Sequence, residues 1–118
     1  MFDLKKDLDN AIQKVTIYIG DYLGKPKEDV FITLSEPDTF DTLQMNNVEK
    51  TKPEPLVRYF DGIFDKVLID HNFQNGDSKA SIEDVHKLLF RKFNLVESIV
   101  TQYLKAVFLS PQSKKKEK

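Results

Sequence analysis

At 118 residues, 40% apolar and 31% charged, the chain has the make-up of one ordinary globular domain. Its formal net charge of −1 supplies no overall field toward nucleic acid or an anionic membrane. The lack of cysteine removes disulfides, thiolate catalysis and cysteine-based zinc sites, and no run reaches the ~20 apolar residues of a membrane span.

The first ten residues, MFDLKKDLDN, are charged and amphipathic. They lack the basic-then-apolar order of a signal peptide, so a cytosolic setting is expected. Leu4, Leu8, Ala11, Ile12 and Val15 recur at helical spacing and predict a helix over about 2–14. The texture then changes to TIYIGDYL (16–23) and VFITLS (30–35), rich in β-branched and aromatic residues and joined through the turn former GKPK (24–27). This predicts an antiparallel β-hairpin, with Ile17, Ile19 and Leu23 on one face and Val30, Ile32 and Leu34 on another. The competing assignment continues the first helix through Tyr18, Ile19, Tyr22 and Leu23 to a cap at Gly24. Thr16, Ile17 and Gly20 are poor helix formers, which favours the hairpin.

Pro37 stops the second strand, and Asp38, with Asp41 in the first turn, opens a short helix. A polar, proline-punctuated connector follows (46–55). PLVRYFDGIFDKVLI (55–69) returns to helical periodicity with the stripe Leu56, Phe60, Ile63, Phe64 and Val67. Gly62 within it suggests close packing. Ser81 with Asp84 starts another helix ahead of Val85, Leu88 and Leu89, and Asn94 with Glu97 starts a last one running to about Phe108 before Ser110-Pro111. The tail 111–118 carries no apolar residue and is expected to be disordered. The predicted fold is α+β, mostly α: an N-terminal helix, one hairpin and about four further helices in a single domain over 1–110.

The polar sites lack catalytic or metal patterns. Counted as an EF-hand from Asp70, the loop IDHNFQNGDSKASIEDV puts Asn75 at the glycine position and Ser81 at the closing carboxylate. Counted from Asn72, Gly76 falls fifth and Asp77 sixth, so a polar loop with an Asn-Gly turn is expected, without a metal. His71 and His86 have no zinc-ligand spacing and are expected to be exposed or capping. No nucleophile elbow or phosphate-cradling loop is present, and neither an enzymatic activity nor a cofactor is expected. Lys114–Lys116 form a basic patch in the tail, but no helix carries a basic, base-reading stripe, so nucleic acid is not an expected partner.

The most informative feature is apolar. On the last helix Leu95, Val96, Ile99, Val100, Tyr103, Leu104, Ala106 and Val107 span about half the circumference, against the ~100° stripe of a surface helix. Either this helix is packed by its own chain on two sides, or part of the arc serves another protein. Val96, Ile99, Val100, Tyr103, Leu104 and Val107 are the candidate partner-binding residues. An open arc would also favour self-association into a homo-oligomer.

The order of these elements resembles the tail assembly chaperones of long-tailed bacteriophages and prophages. The likeness lies in a strand running into the corner Glu36-Pro37-Asp38-Thr39, the segment Ile69, Asp70, His71, Asn72 and Phe73 after an apolar helix, and the helix start Ser81, Glu83, Asp84 and Val85. It spans most of residues 15–110 through short, degenerate motifs. The resemblance implies a non-enzymatic protein of the bacterial host cytoplasm that coats the tape measure protein until tail tube protein displaces it. Many such chaperones are also made as a longer frameshifted product, for which the lysine codons of SKKKEK would be the slippery site; the alternative is an ordinary charged tail. The alternative within the same setting is a structural tail completion or connector subunit of the virion. A calcium-dependent regulator built on 70–84 is a third possibility.

Overall fold

The computed structural model describes residues 1–108, so Ser110-Pro111 and the tail 111–118 lie outside the described residues. Helix α1 (Leu4–Ala11) starts where the Asp3 carboxylate accepts from the backbone N–H of Lys5 and Lys6, while Asp7 accepts from the N–H of Asp3. It is shorter than the predicted 2–14. Gln13 ends it by donating its side-chain amide to the carbonyl of Ala106 at 2.7 Å and its backbone N–H to Glu36 at 3.1 Å. Those two bonds turn the chain straight into a strand.

The hairpin forms, with its first strand shifted. β1 (Lys14–Tyr18) pairs antiparallel with β2 (Phe31–Ser35), placing Thr16 opposite Thr33 and Ile17 opposite Ile32. Residues Gly20–Leu23, expected in the strand, form a 3₁₀ turn that ends at Gly24 with φ +74°. A third strand, β3 (Leu68–His71), pairs antiparallel with β2, so the sheet order is β1-β2-β3. The sequence assigned its first two residues to a helix. Ile17, Ile19, Ile32, Leu34 and Leu68 are buried on the sheet's inner face.

Asp38 caps α2 (Thr39–Met45) by accepting from the Asp41 N–H at 2.8 Å, as the sequence predicts. Helix α3 (Pro53–Val67) begins two residues before the predicted start and runs directly into β3. Its stripe of Phe60, Ile63, Phe64 and Val67 is buried, but Gly62 is exposed with nothing near it, so it serves no close packing. The two-residue strands β4 (Gln74–Asn75) and β5 (Ser78–Lys79) close around Gly76 at φ +62°, with the turn at Gly76-Asp77.

Ser81 caps α4 (Ile82–Leu89) by accepting from the Asp84 N–H at 3.1 Å. Helix α5 (Phe93–Phe108) starts at Phe93, so Asn94 lies inside it and is not its cap. It packs against α3 and β1 together. Phe60, Phe64, Phe90 and Tyr103 meet at the centre with ring centroids 5.4–6.0 Å apart. No helix among the described residues is long and apolar enough to cross a membrane.

Candidate interaction surface

The wide arc of α5 is mainly core. Val96 is 2% exposed, Ile99 1%, Val100 3% and Tyr103 0%, because α3 covers one side of the helix and β1 the other. These four of the six candidate partner-binding residues therefore face their own chain, so of the two readings open for the arc they follow packing by the chain itself. Tyr103 Oη also donates to the carbonyl of Ser35 at 2.9 Å, tying the helix to the end of β2. Burial raises the Tyr103 pKa, and the nearby Tyr59, Asp41 and Glu36 add to the effect. Tyr103→Phe keeps the ring and leaves that carbonyl without its donor. A loss of about 1–3 kcal/mol in chemical denaturation is expected, and a neutral substitution would mean the bond contributes nothing.

Leu104 and Val107 are only half-buried. Leu104 opens into a groove of about 340 Å³ shared with Met45, Leu56, Thr101 and Phe108, with Asn46, Lys50 and Lys105 also lining it. The Lys50 ammonium donates to the carbonyls of Met45 and Val48, at 2.9 and 3.1 Å, and so steadies the C-terminal end of α2 beside the groove. Residues 40, 43 and 46 lie three apart on α2 and its C-cap, hence along one face. The first two are Phe40, 80% exposed, and Leu43, 55% exposed; the third, Asn46, reaches the groove. Two exposed apolar side chains thus stand on the helix whose C-terminal end lines the groove. On α1, Leu4 (71% exposed) and Leu8 are also uncovered.

A larger cleft of about 830 Å³ lies between Lys14, Glu36, Asp38, Asp41, Lys66 and Ile69. Its carboxylates are engaged in holding the fold. Asp38 caps α2, Glu36 takes the N–H of Gln13, and Asp41 pairs with Lys66 at 2.8 Å. The hydrogen bond from Lys66 to Asp41 raises the lysine pKa. Tyr59 donates to the Asp41 carbonyl at 2.7 Å, and burial followed by Asp41 and Asp38 lifts its pKa to about 12.

The acidic loop is equally occupied. Asp70 pairs with Lys79 at 2.9 Å, and that bond, then the His71 N–H, lowers its pKa. Asn72 accepts from the Phe31 N–H and donates to the Asp29 carbonyl, pinning the end of β3 to the start of β2. Among the described residues, no group of three or more acidic or histidine side chains is placed to hold a metal.

Neither histidine is simply exposed. His71 is buried on β3, where its Nδ1 accepts from the Phe73 N–H at 3.1 Å, and burial first, then Lys79, lowers its pKa. His86 on α4 packs beside the touching pair Phe64 and Phe90 and reaches two aspartates of α3. Comparison of the chain with protein-family models, with curated proteins and with solved structures gives no match.

Proposed function

We propose that this chain is a non-enzymatic tail assembly chaperone that binds the tape measure protein through apolar helical surface during phage tail morphogenesis. The phage assignment draws on the sequence resemblance at Glu36-Pro37-Asp38-Thr39, Ile69–Phe73 and Ser81–Val85. The mode of binding draws on one structural observation: Phe40 and Leu43 stand uncovered on α2, whose C-terminal end lines the groove beside Leu56 and Leu104. An amphipathic helix of the partner would lay its anchors along such a furrow. The surface is modest, which suits a protein that must later be displaced. The binding residues are accordingly moved from the buried side of α5 to α2 and the groove, with Leu104 common to both sets.

The test is co-production with the tape measure protein of the same phage or prophage. The expected result is a tape measure protein that stays soluble and co-purifies with this chain, while purified virions lack it. Phe40→Asp combined with Leu43→Asp should weaken that capture at least tenfold, about 1.4 kcal/mol or more, with the unfolding midpoint unchanged. Undiminished capture by the double variant would remove α2 from the site. Stoichiometric recovery of the chain in virions would point to a structural tail component.

A further inference from the structure

His86 Nε2 lies 2.6 Å from a carboxylate oxygen of Asp61, and Nδ1 lies 2.8 Å from one of Asp65. Asp61 and Asp65 are one helical turn apart on α3, so the ring spans them as a bracket across two helices. A neutral imidazole has one N–H and one bare nitrogen and can satisfy only one of these acceptors. The other contact would then oppose lone pair to lone pair. Both contacts are hydrogen bonds only when the ring is an imidazolium.

We propose that His86 is a proton-operated latch that fastens α4 to α3 through Asp61 and Asp65 and loosens that helix when the ring gives up its proton. The ring centroid stands 4.9 Å from that of Phe64, tilted to it, and 4.6 Å from that of Phe90, edge to face, so the latch sits at the edge of the central aromatic cluster. The charged groups acting on it are the two aspartates of α3. On α4 itself Glu83 pairs with Lys87, and Asp84 takes the side-chain amide of Asn75. Lys66 on α3 is turned to Asp41.

Burial opposes the charge on His86, but the hydrogen bonds to Asp61 and Asp65 outweigh it and the pKa ends above the ordinary 6.5. A histidine raised by folding contributes its full stabilisation below that ordinary value and loses it as pH climbs through the raised one. His71 responds in the opposite sense. Its lowered pKa keeps it neutral in the fold, so its charging under acid costs stability at β3, in a lower pH range than the latch. The two histidines therefore act with opposite sign and in different pH ranges.

Hydrogen exchange of the full chain at about pH 6 and about pH 8.5, corrected for intrinsic rates, reads the latch directly. Protection of the Val85–Leu89 amides should drop about fivefold at the higher pH, the scale of a partly exposed ion pair, while α5 protection stays level. Asp61→Asn with Asp65→Asn replaces two exposed side chains and should give the lower α4 protection at both pH values; His86→Gln should do the same. Nitrogen NMR of the wild-type ring should show both nitrogens protonated at about pH 6. A single protonated nitrogen there, a pH-independent α4 in the wild type, or a pH-dependent one in the double variant would each overturn the latch.

Discussion

Phe60→Ala is expected to destabilise the fold by about 3–5 kcal/mol. Phe60 is 1% exposed and touches the rings of Phe64, Phe90 and Tyr103, so it joins α3, α5 and the end of α4. Truncation removes the transfer energy of the ring and leaves a cavity between three elements that cannot all close on it. A domain of this size has about 5–15 kcal/mol in total, so the variant should be partly unfolded near physiological temperature. The measurement is the midpoint shift in guanidinium denaturation, with Phe40→Ala as comparison. Phe40 is equally large but lies on the surface, so its loss should stay within about 0.5 kcal/mol. Similar midpoints for the two variants would contradict the burial of one and the exposure of the other.

The second large effect is backbone crowding at Gly20. A Cβ built there would stand 1.9 Å from the carbonyl oxygen of Pro26, 2.8 Å from its carbon and 3.0 Å from the carbonyl oxygen of Lys27. All three are main-chain atoms, so no side chain can swing aside. The Gly20 carbonyl also accepts from the Lys25 N–H, which locks the same turn. Gly20→Ala should therefore cost about 1–3 kcal/mol by overpacking. Gly62→Ala is expected to act in the opposite direction. Gly62 is in mid-helix with no neighbour within 4 Å, and alanine there should gain up to about 1 kcal/mol of helix propensity. Thermal unfolding of the two variants side by side decides the matter, and a tolerated Gly20→Ala would refute the close approach.

What was legible in the sequence was local. Asp38 and Ser81 announce helix starts because a side-chain oxygen meets a backbone N–H two or three residues on, within one short segment. The β1–β2 pairing was legible because alternation and a nearby turn occur together. β3 was not, since Leu68 and Ile69 continue the apolar period of α3, and their strand conformation depends on β2, more than thirty residues upstream. The interaction surface failed for a related reason. Amphipathicity shows that Leu4 and Leu8, or Val96 and Ile99, share a face, but not whether the chain folds back to cover it. The fold covers the second pair and leaves the first open. Phe40 and Leu43 gave no warning, because nothing in a seven-residue helix separates them from its third apolar residue, Met45, which is buried.

The passage from α3 into β3 without an intervening residue gives helix and sheet a common phase. A helix advances about 100° per residue and a strand inverts its faces with each one. One residue gained or lost within α3 would swing its aromatic stripe away from α5 or move Leu68 out of its pairing with Leu34. A linker would absorb such slippage; a seam cannot, so the length of this segment is fixed as tightly as its chemistry.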